Sequence, residues 1–444
     1  MTRTFRSRLK AGVALTAILG QLAVTAGPAS AFCGFYVAKA DTKMFNKSSK
    51  VVLIRDGQQT AITMASDYEG KPDEFALVVP VPTFIERKQI NVVDSATIDH
   101  LDAYTAPRLV QYYDRDPCIP PIPPTAALSY SVAAMAPQPT PMPVYVGVKI
   151  EAQYNVAEYD ISILSAEQSD GLVHWLNDNG YRIPAGAEPV IGSYIKQKMH
   201  FFVAKVNVKR LNDLGRAYLQ PLQVRYQTAK FMLPLRLGTV NANGPQDLTI
   251  FAMSRRGRIE AANYRTVKMP SSIDVPLFVE KDFPNFYKAT FAHAVTKENQ
   301  RAVFVEYAWD MGWCDPCAAE PMSGKELTAL GVAGAVSTSD FGNQWAGNLG
   351  APFVTRLHVR YDAQTFPEDL NFIETSDREN FQARYVMHHP FAGATSCLAG
   401  DTYRLSLIGR FNEEADNLSG LTGWPQEDIA ARMAASGEPL TQRH

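Results

Sequence analysis

Cysteine and histidine are scarce in this chain, with five and eight in 444 residues. So few cysteines exclude a small scaffold stapled by many disulfides, and so few histidines leave a multi-ligand metal centre without a sequence signature. No G-x-S-x-G elbow, H-E-x-x-H pair or phosphate loop occurs, so the sequence carries none of the commonest hydrolase, metalloprotease or nucleotide-binding signatures. An excess of one charge is missing too: 43 Lys and Arg face 45 Asp and Glu, so the basic footprint of a nucleic-acid binder is absent. No internal repeat of fixed period is present.

The one long apolar run lies at the start. Arg3, Arg6, Arg8 and Lys10 precede Ala11 to Gly27, a stretch apolar enough to enter a membrane but interrupted by Gly20 and Gln21 and followed by Pro28. Ala29-Ser30-Ala31 then places small residues where a signal peptidase reads them. The pattern predicts a cleavable signal peptide over 1–31, a mature start at Phe32, and a periplasmic or secreted protein with no stable membrane anchor. The arginines are unpaired, unlike a twin-arginine signal, and Phe32 is too bulky for the residue before a lipidated Cys33. Removing the segment takes four basic and no acidic residues, leaving a net charge of −6.

The remainder reads as a β-rich α+β protein, with mostly antiparallel sheets and a few short helices. Strands are predicted from Val51 to an Asp56-Gly57 turn, then through alternating Ile62 and Met64, and at Phe75 to Pro82, Val144 to Ile150, Tyr159 to Ile163, His200 to Val208, Leu233 to Val240, Leu248 to Met253, Ala302 to Trp309, Phe353 to Tyr361 and Arg384 to Met387. Helices are predicted from Asp94 to Tyr104, from a capping box at Ser165 and Gln168 to a stop at Gly180, and from a second box at Ser323 and Glu326 to a stop at Gly331. Prolines crowd residues 117–143, as in an exposed loop or linker. The division expected from this is an N-terminal β-rich domain over 32–116, the loop over 117–143, a larger α+β domain over 144–424 and a loose polar tail over 425–444.

Several short phrases in order resemble one exported bacterial family, domain of unknown function 2330. They are Cys33-Gly34, Tyr68-Glu69-Gly70, Phe75 through Val79-Pro80-Val81-Pro82, Thr105-Ala106-Pro107-Arg108 with Cys118, Tyr159 through Leu164-Ser165-Ala166, Trp175-Leu176 with Gly180-Tyr181, and Thr355-Arg356-Leu357. The chain departs from that pattern in its proline-rich insertion after Cys118 and in Tyr36. The resemblance implies an envelope or secreted protein and no reaction.

Chemistry centres on the cysteines: Cys33, Cys118, Cys314, Cys317 and Cys397. Export predicts disulfides, with Cys33 joined to Cys118, Cys397 joined to Cys314 or Cys317, and one thiol left over. Trp313-Cys314-Asp315-Pro316-Cys317 looks like the redox motif of the thioredoxin family. Pro321 to Gly324 break the helix that would activate the first thiol, which favours a structural role. His388 and His389 should point to opposite faces of a strand, His293 and His358 read as isolated, and no metal is expected. Arg255, Arg256 and Arg258 around Gly257 read as a solvated hairpin tip. Asp114, Asp116, Glu413, Glu414 and Asp416 give no sign of burial. The reading is a non-catalytic envelope binding or structural protein without a cofactor, its partner an unidentified envelope protein or ligand; the alternative is a thiol-disulfide oxidoreductase using Cys314 and Cys317.

Overall fold

The structure is a computed structural model, and it describes residues 29–30, 35–39, 45–69, 75–119, 149–165, 169–179, 181–183, 186–215, 219–240, 242, 244–312, 320–334 and 351–440. The signal segment through Pro28, most of the proline-rich stretch, Cys33 and the W-C-D-P-C motif lie outside the described residues.

The strands in chain order are β1 (Ala29–Ser30), β2 (Phe35–Lys39), β3 (Phe45–Asp56), β4 (Gln59–Glu69), β5 (Phe75–Val81), β6 (Ile90–Val92) and β7 (Arg108–Tyr113). After the proline-rich stretch come β8 (Lys149–Val156), β9 (Tyr159–Ser165), β10 (Tyr181–Arg182), β11 (His200–Val206), β12 (Leu222–Gln227), β13 (Met232–Leu233), β14 (Gln246–Ser254) and β15 (Ile259–Ala261). The last are β16 (Arg265–Lys268), β17 (Ile273–Asp274), β18 (Ala302–Asp310), β19 (Phe353–Tyr361), β20 (Leu370–Glu374), β21 (Phe381–Gln382) and β22 (Arg384–His389). The helices are α1 (Ser95–Thr105), α2 (Ser169–Asp178), α3 (Ala187–Lys196), α4 (Val208–Asp213), α5 (Arg236–Val240), α6 (Phe283–Lys297), α7 (Gly324–Leu330), α8 (Leu398–Thr422) and α9 (Gln426–Ala435).

The largest sheet runs β16-β18-β19-β14-β3-β4-β12-β6, and a second runs β10-β2-β5-β11-β9-β8. Their facing sides make one core, in which Val51, Leu53, Ile62 and Ile250 meet Leu77, Val79, Ile161 and Phe202. The alternate residues of β3, Val52 and Ile54, point the other way, under Ile98, Leu101 and Tyr104 of α1 and Leu327 and Leu330 of α7. That is why Val51 to Ile54 is a continuous apolar run: both faces of the strand are covered. The second sheet repeats the arrangement, with Ala76, Val78, Phe201 and Val203 packed on Leu172 and Leu176 of α2 and Ile191 and Tyr194 of α3. Four layers result, two sheets between two helical covers.

Strands from both sides of the proline-rich stretch share these sheets: β14 pairs with β3, and β12 with β4 and β6. The expected division into 32–116 and 144–424 is thereby corrected, because a boundary placed there would cut the central ladder. A third, wholly parallel sheet, β17-β22-β7, carries α6, α8 and α9 on an apolar cluster of Val275, Phe286, Tyr385, Met387, Phe411, Leu418, Ile429 and Met433. The tail expected to be loose therefore holds α9, docked through Ile429 and Met433, and α8 is 25 residues long rather than short.

Most predicted elements are present. Asp94 caps α1 by accepting from Ala96 N–H, and Ser323 and Glu326 close the capping box that starts α7. Ser165 departs from expectation: it ends β9 and its hydroxyl donates to Glu151, while α2 begins at Ser169. Leu233 to Val240 departs too: the two-residue strand β13 ends at Leu233, and α5 follows from Arg236. The reason is Asp369, whose carboxylate accepts from Leu235 N–H and Arg236 N–H and so supplies a helix start from far along the chain.

Candidate functional site

Cys118 and Cys397 form a disulfide, with Cα atoms 5.9 Å apart. This corrects both predicted pairings, Cys33 with Cys118 and Cys397 with Cys314 or Cys317. Proximity is made by the third sheet: Cys118 follows β7, and Cys397 is the N-cap of α8, which packs on that sheet. Cys33, Cys314 and Cys317 lie outside the described residues. The first described residue after the W-C-D-P-C motif, Glu320, meets His100 of α1 through its carbonyl at 2.8 Å, and the other ring nitrogen of His100 meets Glu326 at 2.7 Å.

The other residues singled out by sequence are dispersed. His388 stacks on Tyr112 and lies 3.5 Å from Asp274, while His389 stacks on Tyr113 and bonds to Gln111 at 2.9 Å. His293 packs against Gly423. Among the described residues no group of three His, Cys, Asp or Glu could hold a metal ion. The arginine cluster is not a hairpin tip, since β14 pairs with β3 and β19 whereas β15 pairs with β20. Arg258 is drawn inward by Glu260 at 2.6 Å and Asp377 at 2.7 Å, and a Cβ at Gly257 would collide with the Asp377 carbonyl. Arg255 and Arg256 stay exposed.

Two buried charge clusters were not foreseen. In the first, Glu306 of β18 is fully buried among three donors: Tyr287 Oη at 2.5 Å, His358 Nδ1 at 2.7 Å and Arg356 Nε at 2.6 Å. Burial alone would raise its pKa, but His358 and Arg356 outweigh it and hold the carboxyl at about 2. Arg356 goes on to Asp102 of α1 at 2.5 Å, and Asp102 to Lys50 at 2.8 Å. The ring of Phe291 lies flat on His358, centroids 3.6 Å apart. Both Glu306 oxygens are thus committed to donors, so the cluster fixes α1, α6, β18 and β19 to one another rather than offering a free base. Its signal in the sequence is a lone glutamate inside the apolar run Ala302 to Trp309, facing basic residues at every second position of β19.

The second cluster joins α8 to the third sheet. Asp114, just past β7, accepts from Tyr403 Oη at 2.6 Å and from Arg410 at 2.7 Å. One turn further along α8 lies Glu414, 1% exposed, with Arg410 Nε 3.5 Å from one oxygen and no hydrogen-bond donor on either. Glu438, beyond α9, is equally buried and accepts from Leu277 N–H. The expectation that these acidic residues are unburied is corrected at Glu414: its neighbours Glu413 and Asp416 belong to the same helix, but its own position faces inward. Burial, reinforced by Glu438, pushes its pKa up to about 8. A heptad-scale view of α8 would have found it, since Glu414 shares a face with Phe411 and Leu418.

A family model described as an uncharacterized protein conserved in bacteria (DUF2330) matches residues 27–373. No curated protein matches the chain. One solved structure, of a mutated baculovirus P35 after caspase cleavage, aligns at 9% identity over 75% of this chain and 95% of its own, with a TM-score of 0.25. A score that low carries neither fold nor function across. The family match includes the Glu306 cluster and Cys118; Cys397 and α8 follow it.

Proposed function

Because the chain belongs to the bacterial family DUF2330, whose members are uncharacterized, we propose that it is an exported, non-catalytic protein that binds another component of the bacterial envelope. The observation that carries this reading is the Cys118–Cys397 disulfide, a bond that persists in oxidising compartments and not in a reducing cytosol. The pattern of Arg3 to Ala31 supplies the route of export, and the closed Glu306 cluster supports a structural use of buried charge. Expression of the full chain in a bacterial host, followed by fractionation and N-terminal sequencing, tests it. The expected result is a mature chain starting at Phe32 in the periplasm or medium; recovery from the cytosol with Met1 in place overturns it.

A second reading keeps one specific support. With Cys397 committed to Cys118, Cys314 and Cys317 are left for each other or for Cys33, as a thiol-disulfide oxidoreductase would need. A redox titration separates the two readings. A Cys314–Cys317 couple between about −270 and −120 mV supports the enzyme, and one below about −300 mV supports a structural bond.

A further inference from the structure

We propose that Glu414 and Glu438 form a protonation-controlled latch that fastens α8 and α9 onto the third sheet, closed while Glu414 carries a proton and loosened when it loses it. The geometry is unusual for a glutamate at the surface of a helix. Both residues are 1% exposed, and Glu414 has no hydrogen-bond donor on either oxygen. Buried carboxylates are ordinarily bonded to donors, so one without them is stable only as the neutral acid or beside a full counter-charge.

The counter-charge is incomplete. Arg410, on α8 itself, spends one terminal nitrogen on Asp114 at 2.7 Å and the other on the His388 carbonyl at 3.4 Å, leaving Nε 3.5 Å from Glu414. From the sheet, Asp274 of β17 and Asp114 past β7 both face the site with negative charge, and His388 lies 3.5 Å from Asp274 rather than against Glu414. Beyond α9, Glu438 takes Leu277 N–H on both oxygens and adds a further negative charge. Tyr403 of α8 is bonded to Asp114. Of the basic side chains on the other packed elements, Lys297 of α6 meets the Gly420 carbonyl at 2.9 Å, Arg432 of α9 meets Asp282 at 2.5 Å, Lys281 and Lys288 are exposed, and His293 of α6 abuts Gly423. One arginine thus serves several carboxylates, and two buried ones so close cannot both ionise at low cost.

The sign follows. Burial and Glu438 raise Glu414 to about 8 in the folded chain, against an ordinary 4.5, and burial raises Glu438 as well. A raised carboxyl gives stability that is complete below the ordinary value and is lost as pH climbs through about 8. The disulfide at Cys397 keeps the first turn of α8 tied to the end of β7, so loosening is confined to the later part of α8 and to α9. Their release bares Val275, Val279, Phe286, Tyr385 and Met387.

Hydrogen–deuterium exchange of the full chain with its disulfide intact, at pH 6 and pH 9 and corrected for intrinsic exchange, tests the latch. Protection over residues 411–440 is expected to fall by roughly tenfold or more in the wild-type chain, while Glu414→Gln, which mimics the neutral acid, stays nearly constant. Identical pH dependence in the two chains, or none in the wild type, overturns the proposal. Should Glu414→Gln fail to fold, carboxyl carbon NMR of the wild-type chain decides. A glutamate titrating near 8 supports the latch, and all glutamates titrating below about 5 overturn it.

Discussion

A carboxylate taken out of water loses several kcal/mol of solvation, and Glu306 recovers it through Arg356, His358 and Tyr287. Removing one partner should therefore cost more than the partner's own contact is worth. Arg356→Ala takes from buried Glu306 one of its three donors and leaves Asp102 with Lys50 alone, and the expected loss is about 3 to 5 kcal/mol in denaturant unfolding at pH 7. The pH dependence has a definite sign. Because Glu306 is held at about 2 in the folded chain against 4.5 ordinarily, its stabilisation is present above 4.5 and drains away as pH falls toward 2. Unfolding measured between pH 5 and 2 should show a gentler slope for Glu306→Gln than for wild type; parallel slopes would mean that the charge is not the agent. The Glu306 cluster was half legible in the sequence. A charge inside Ala302 to Trp309 is conspicuous, but its partners lie on β19, α1 and α6, and nothing in the local pattern says which of the many arginines comes to meet it. Glu414 was hidden for the opposite reason, being one acid in the run Glu413-Glu414 on what reads as a solvated face.

Whole elements were most legible where their boundary signals are local. The α7 capping box is complete within the four residues Ser323 to Glu326, where Ser323 accepts from Glu326 N–H and Glu326 accepts from Ser323 N–H; Gly331 then closes the helix at φ 112°. Ser323→Ala should lower stability by about 1 kcal/mol in thermal or chemical unfolding. Gly331→Ala should cost more. Any side chain there adopts a disfavoured φ, and a Cβ would stand 2.8 Å from the Cβ of Ala61 in the next layer. If the alanine at 331 proved the milder of the two, the close approach of α7 to β4 would have to be slack. Where the boundary signal is remote, the sequence pattern misleads. Leu233, Leu235 and Leu237 alternate as in a strand, yet they are buried at the end of β13, in the following turn and in α5, because Asp369, more than a hundred residues on, caps the turn at Leu235 and Arg236 and also accepts from Tyr194. Alternation of leucines reports burial, and here it was burial across a strand end, a turn and a helix start.

At the scale of the whole molecule, the informative contacts are those the chain makes with itself at long range. Alternation told which segments are strands, but β3 lies between its hairpin partner β4 and β14, which arrives some two hundred residues later; register between distant strands has no local signature, and a composition change at 117–143 mistakenly suggested a domain boundary. The same length scale governs the disulfide. Cys118 and Cys397 are separated by 279 residues, and the enclosed loop holds most of both sheets. Closing so long a loop removes many unfolded conformations, so the double variant Cys118→Ser/Cys397→Ser should unfold about 2 to 5 kcal/mol more easily than the oxidised wild type on the chain-entropy account. Reduction of the wild-type chain should reproduce most of that loss. The bond also joins Cys118, inside the matched family region, to α8 beyond it, so its removal should act twice: once on global unfolding, and once on the docking of α8 and α9 over Tyr385 and Met387. The two effects separate by measurement. Global loss lowers the denaturant midpoint, whereas local loss raises exchange over 398–440 below the transition. A variant with an unchanged midpoint but exposed α8 would restrict the bond's role to pinning that helix, and a variant with neither change would remove the disulfide from the list of things that hold this fold together.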